Sequence, residues 1–454
     1  MPVTHRKERK TIMYDCRLAP HLSARFIAFL LVMAWLDLIS AAEPVSLPEL
    51  GFRLVQCHTP FVQEIGVTGS PISIAELEAG GGRVDPEIPI FEGKEFEGLT
   101  GGSSQEHSTA VGSILFGNSL LYQGVAPGIR HVFFGDAGSF LKTWVQENKP
   151  VDVRIINQSF SLSRQVPALD LLLDAYADEH HILFVNGSDG PDGGVGHTPS
   201  TMFNGICVGA CDPESGDPSF PGGLFEKRSL PELVAPITGS YFYYQRGSPV
   251  VLTNQMHRIM GTIAGTSLSA PFVSGASALV MDLALRRPET SQGSDPRVVK
   301  AILMSSATKG ITWAHTEEAP LDTRQGAGVL NVTAALRLFQ NGSKVDRNQD
   351  AGWNLENISS DETKKYSFTL KDPSSFTATI AWNRHIQDSL AVLVPLELRL
   401  LREDHEIAIS VSQADNFQHL FVKELQIGDY RLEVHNPSKQ SETFGLAWSA
   451  FPMR

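Results

Sequence analysis

The spacing of apolar and polar positions changes character along the 454-residue chain. From about 62 to 340, short runs rich in β-branched residues (ISIAELEA, VDVRIINQSF, HILFVNG, GICVGA, ELVAP) alternate with stretches whose apolar residues recur every three to four positions. The latter include STAVGSILFGNSL, LDLLLDAYADEH, SAPFVSGASALVMDLAL and DPRVVKAILMSSAT. Strand and helix in turn predict an α/β domain around a mostly parallel sheet, where chemistry gathers at the carboxyl ends of strands. After NGSKVDRNQDAG (341–352) the helical period disappears. Short alternating runs take its place (YSFTL, FTATIAW, LELRLL, EIAISVS, LFVKELQI, YRLEVHN, FGLAWS), which predicts a small antiparallel β-sandwich over 345–454.

The N-terminus has a third texture. His5, Arg6, Lys7, Arg9, Lys10 and Arg25 precede the apolar stretch FIAFLLVMAWLDLI, and Ser-Ala-Ala-Glu-Pro comes after it at 40–44. Residues 1–42 therefore read as a secretory signal cleaved near Ala41 or Ala42, which implies a secreted, periplasmic or cell-surface protein. An uncleaved membrane anchor is the alternative, although the stretch falls short of the roughly 20 apolar residues that spanning requires. Residues 43–61 then form a short N-terminal segment.

Composition narrows the partners. At 42% hydrophobic residues there is core material for two domains. A formal net charge of −13 with no basic run argues against nucleic acid. Cys16 leaves with the signal, so Cys57, Cys207 and Cys211 remain. Cys207 and Cys211 on one strand would stand roughly 13 Å apart and cannot bridge. Small buried hydrophobes are the simpler reading than a Cys57 bridge to either one, and no Cys/His spacing suits zinc.

The stretch GTIAGTSLSAPFVSGASALVM (261–281) carries the most chemical information. Gly265, Thr266 and Ser267 form a small-residue turn, Pro271 sits early in the adjoining segment, and FVSGASALVM suits only a buried helix. A Ser at such a helix mouth is either an ordinary cap or a nucleophile favoured by the helix N-terminus. A nucleophile needs a base, and His107 in EHSTAVGSILFGN precedes another closely packing run. His180 and His181, at an acidic helix end, read as surface residues.

Six motifs in order give these residues company. GTSLSAPFVSGASAL resembles the nucleophile motif of the subtilisin-like serine proteases, HSTAVGS their histidine motif, and GVAPG (124–128) the turn after it. INQSFS (156–161) resembles their substrate-edge strand, TPSTMFNGICVGA the strand after the oxyanion loop, and GAGVLNVTAAL (326–336) the closing helix. The resemblance implies a subtilisin-like three-layer α/β peptidase domain over 62–340. It also implies Ser267 as nucleophile, His107 as base, and substrate contacts at Ser159, Phe160 and Ser161. Over the family's first catalytic motif, GVTGSPISIAELEAG puts Glu76 where an Asp is usual. Glu78, on the same strand face, competes for that role, and Asp85 is an outside candidate.

Other departures from the family fall at functional places. In FVNGSDG, Ser188 stands where the family offers an oxyanion-binding Asn, and Asn186 is displaced to the residue before Gly187. Only the 43–61 segment is available where the family commonly has a propeptide. Residues 396–436 resemble the jelly-roll-like sandwich appended to many secreted subtilases. The chemistry implied needs no metal or other cofactor, and structural calcium, common in the family, has only the acidic loop GSDGPDGGVG (187–196) to suggest it. The expectation is a secreted serine endopeptidase acting on proteins or peptides through a Glu-His-Ser triad. The alternative is a weakly active or inactive subtilase-fold binding or scaffold protein.

Overall fold

Seven strands build the central sheet: β1 (Ile74–Glu78), β2 (Glu95–Gly98), β3 (His131–Asp136), β4 (Ile155–Gln158), β5 (Leu183–Gly187), β6 (Gly205–Cys211) and β7 (Leu233–Pro236). They run parallel in the order β7-β6-β5-β4-β1-β3-β2. This is the parallel α/β sheet the sequence predicts. The computed structural model describes residues 47–119, 123–162, 164–188, 196–219, 222–237, 265–342 and 350–452. The expected signal at 1–42 and most of the 187–196 loop lie outside them.

Strand parity sorts the sheet's side chains into two layers. Ile74, Ile155, Val185 and Ile206 pack on one face with α3 (Glu106–Phe116) and α5 (Ala270–Leu285). Ala75, Leu77, Ile156 and Phe184 pack on the other with Leu173, Tyr176 and Ala177 of α4 (Pro167–His180). Two short helices, α1 (Leu47–Leu54) and α2 (Pro60–Ile65), precede the sheet. Helix α5 is buried without interruption from Ala270 to Asp282, so its sequence carries no polar face. A Cβ at its Gly275 would lie 2.5 Å from Val125, which is why the small residues of GVAPG and α5 meet so closely. Cys57, Cys207 and Cys211 are free and buried, as small hydrophobes. Among the described residues no helix is long and apolar enough to cross a membrane.

Helices α6 (Pro296–Ser306) and α7 (Val332–Asn341) lead to the second body of strands. It comprises β8 (Ala351–Ile358), β9 (Thr363–Leu370), β10 (Ser374–Trp382), β11 (Glu397–Arg402), β12 (His405–Ser410), β13 (Phe417–Leu425), β14 (Gly428–His435) and β15 (Glu442–Pro452). Two four-stranded antiparallel sheets, β8-β15-β10-β13 and β9-β14-β11-β12, enclose one apolar core between them. Strand β8 has no counterpart among the predicted runs, because its AGWNLENI does not alternate cleanly.

The sandwich is continuous with the α/β core. Trp353, Ala381, Phe417 and Ala447 belong to the same apolar cluster as α6 and α7. Trp353 stacks on Phe339 at 4.7 Å and donates its indole N–H to the Phe339 carbonyl. A Cβ at Gly445 would lie 2.4 Å from the Arg297 backbone, so glycine there permits α6 to rest on β15. Ser305 Oγ, fully inside this contact, lies 2.8 Å from Thr379 Oγ1 and 2.9 Å from the Ala447 carbonyl. Arg384 pairs with buried Asp174 of α4 and covers the Phe203 ring at 3.8 Å. Replacing Ser305 by Ala strands polar atoms and is expected to cost about 1 to 2 kcal/mol. Urea unfolding of that variant should show both bodies melting together at the lower midpoint; a sandwich that keeps its own midpoint contradicts the shared core.

Candidate active site

Strand β1 ends because Gly80 (φ 73°) and Gly81 (φ 76°) take left-handed conformations that favour glycine. Asp136 holds this turn: its Oδ2 accepts from Gly81 N at 3.0 Å and its Oδ1 from Ser139 N at 2.8 Å. Partial burial works against the charged Asp136 carboxylate, but these backbone donors outweigh it and keep the group below its usual value. The last strand residue before the turn is Glu78.

Glu78 is the acid that meets His107. Its Oε1 accepts from His107 Nδ1 at 2.8 Å, and its side chain is 6% exposed against 27% for the imidazole. Burial raises the Glu78 carboxyl above the ordinary range, while the His107 hydrogen bond and charge pull it back part of the way. Burial likewise opposes charge on His107, but the Glu78 hydrogen bond and carboxylate more than offset it, leaving the imidazole above its ordinary value. Because Nδ1 faces the carboxylate, Nδ1 carries the proton and Nε2 keeps a lone pair.

The expectation for Glu76 is corrected by this geometry. Glu76 lies one strand repeat deeper, roughly 7 Å from Glu78 along β1. Its ladder neighbours are Phe134 and Asn157. The first turn of α3, which bears His107, covers the strand end, whereas Gly112 covers Glu76: a Cβ there would lie 3.2 Å from Glu76 Oε2. Glu76 is 1% exposed and neither carboxyl oxygen has a hydrogen-bond partner. Burial, then the neighbouring Glu78 charge, raises its carboxyl well above the usual range. Asp85 also stands away from His107; its Oδ1 accepts from Glu87 N at 3.1 Å.

Ser267 lies in the turn 265–269 that leads into α5 and is half-buried. It is not a helix cap. The cap position belongs to Ser269, whose side chain makes no capping bond and instead donates to the Pro236 carbonyl at 3.0 Å. Among the described residues no hydrogen bond joins Ser267 to His107. Such contacts are often loose in free enzymes and tighten around substrate. Both residues nevertheless belong to the same face of the sheet, since α3 and α5 share one core layer.

The oxyanion candidates separate. Gly187 ends β5 directly against Thr266, where a Cβ would lie 2.8 Å from Thr266 Oγ1 and 3.1 Å from its backbone carbon. That contact brings Ser188, 3% exposed with its N–H on the Val208 carbonyl at 2.9 Å, next to the Ser267 turn. Asn186 shares parity with Phe184 and therefore faces the α4 layer, away from Ser267. Its amide is buried there without a partner, and an oxyanion role for it does not fit.

Of the substrate-edge residues, Ser159 points inward. Its hydroxyl lies 2.8 Å from the Ser267 carbonyl and the side chain is 2% exposed, so the expected substrate contact by that side chain is not made. Phe160 instead lines a cavity of about 210 Å³ with Gly80, Leu141, Leu162, Leu169 and Pro199. Ser161 is half-buried and does not line that cavity. Among the described residues no three His, Cys, Asp or Glu side chains converge as metal ligands.

The chain is similar to known proteins. The model of the subtilase family, peptidase S8, matches residues 91–328. Among solved structures, the prenylagaramide maturation protease PagA is 23% identical with a TM-score of 0.47, covering 62% of this chain and 98% of its own. The patellamide maturation protease PatA is 23% identical with a TM-score of 0.44, covering 59% and 97%. The PatG macrocyclase in complex with peptide is 18% identical with a TM-score of 0.47, covering 66% and 99%.

Proposed function

Because the chain belongs to the subtilase family, we propose that it is a serine endopeptidase that uses Ser267, His107 and Glu78. The observation that carries this reading is the 2.8 Å contact between Glu78 and His107 Nδ1, which leaves Nε2 free to act as a base. His107 Nε2 takes the Ser267 hydroxyl proton as Oγ bonds to the scissile carbonyl carbon. The same imidazolium then gives that proton to the departing amine as the C–N bond breaks. Water, deprotonated by the same imidazole, then bonds to the acyl carbon. The imidazolium returns that proton to Ser267 Oγ as the ester C–O bond breaks and the carboxylic acid product leaves. Glu78 stabilises the imidazolium throughout and keeps its own charge.

The Ser267 N–H and the Ser188 hydroxyl are the groups assigned to the oxyanion. A hydroxyl reaches less far than an amide, and loss of the usual Asn in subtilisin itself costs about 10²- to 10³-fold. Slow turnover is therefore expected. The largely apolar cavity beside Phe160 suits an apolar side chain of an extended peptide. Export is proposed from residues 1–42 alone.

A fluorophosphonate probe tests the assignment. Wild type is expected to take up one equivalent at Ser267, located by peptide mass, and Ser267→Ala none. Absence of labelling from wild type, indistinguishable from Ser267→Ala, returns the chain to a non-catalytic subtilase-fold binding protein.

A further inference from the structure

A helix beginning at the Ser267 turn has a gap at one carbonyl. Ala270 N donates to the Thr266 carbonyl at 2.9 Å, the first bond of the helical ladder. The next bond would run from residue 271 to the Ser267 carbonyl. Residue 271 is proline and has no N–H to give. The carbonyl of the nucleophile is thus orphaned by the sequence itself.

A side chain from the sheet fills the gap. Ser159 Oγ donates to the Ser267 carbonyl at 2.8 Å and accepts from Asn157 Nδ2 at 2.9 Å. Asn157 Oδ1 in turn accepts from Ser274 Oγ of α5 at 2.8 Å. Asn157 and Ser274 are fully buried and Ser159 is 2% exposed. The relay leaves α5 at Ser274, crosses the end of β4, and returns to the same chain at Ser267. Each hydroxyl and amide in it has a defined direction, because Ser159 spends its only proton on the carbonyl.

We propose that Ser159, oriented by Asn157 and Ser274, is a positioning residue for the nucleophile: it replaces the donor that Pro271 lacks and thereby fixes the Ser267 peptide plane. This rests on Ser267 being the nucleophile. Fixing that plane fixes the direction of Ser267 Cβ, hence where Oγ stands relative to His107. A displacement of about 1 Å there is enough to cost roughly 100-fold in rate.

The test uses probe-labelling rates and peptide kinetics on the full chain. Ser159→Ala is expected to lower the labelling rate and kcat about 10- to 100-fold, with KM within about threefold, because the lost hydroxyl faces Ser267 and not substrate. Pro271→Ala added to Ser159→Ala supplies a backbone N–H at the vacant ladder position and should recover at least about tenfold. Ser274→Ala, milder for folding, breaks only the far end of the relay and should lower the rate about threefold or more. A wild-type rate in Ser159→Ala or in Ser274→Ala overturns the proposal. So does a rise in KM at constant kcat, or no gain from Pro271→Ala. Wild type that fails to label at all sinks the nucleophile assignment first, and the positioning role with it.

Discussion

Glu78→Gln is expected to lower turnover about 10⁴-fold without loss of the fold, the size known for acid-to-amide replacement in serine-protease triads. The reason lies in one hydrogen bond. A carboxylate only accepts, so it holds the His107 proton on Nδ1. A carboxamide can present its NH₂ instead, which places the proton on Nε2 and removes the base. The charge that stabilises the imidazolium is lost as well. The pH profile supplies a second readout. Because Glu78 holds the His107 pKa above its ordinary value, the acid limb of kcat/KM in wild type should lie above the usual histidine range. With Gln the raising partner is gone and burial lowers the imidazole, so the limb should move to lower pH. Turnover within tenfold of wild type, with an unmoved acid limb, would show that the triad acid lies elsewhere.

The choice between two acids shows where the sequence was legible and where it was not. Alternation along ISIAELEA gave the strand and the shared face of Glu76 and Glu78. It could not say which turn of α3 would lie above which acid, because that is a helix-on-sheet placement. The Gly80-Gly81-Gly82 run was the available signal: it marks the strand end immediately after Glu78 and favours the later residue. Asn186 failed for a related reason. Parity with Phe184 was readable, but which layer held α5 was not. The strand HVFFGD was missed altogether, since its apolar residues neither alternate nor run long, yet β3 is the neighbour that supplies Asp136 to the turn. The nucleophile and histidine segments were legible because their small residues answer close packing, as at Gly112 and Gly275.

Replacing Glu76 with Gln should stabilise the protein, increasingly so as pH rises. Glu76 has no partner for either oxygen, and Glu78 is the charged neighbour on its own strand. The groups opposite it in the ladder, Phe134 and Asn157, do not titrate, and α3 offers Gly112. Nothing in contact rewards ionisation, so the folded state keeps a proton that the unfolded chain releases above the ordinary carboxylate range. Where the folded state binds more protons, stability falls with pH. Below the unfolded-state pKa both states are protonated and wild type should match Glu76→Gln. Above it, wild type should lose about 1.4 kcal/mol per pH unit relative to the variant, until pH reaches the raised folded-state value. Gln has the size of the protonated acid and no charge to shed, so its own curve lacks this slope. Urea unfolding of both proteins from pH 4 to 8 reads the difference directly, and turnover should fall far less than in Glu78→Gln. A constant gap between the two curves would mean that Glu76 is ionised in the native protein, and one charge on this strand face would have to become two.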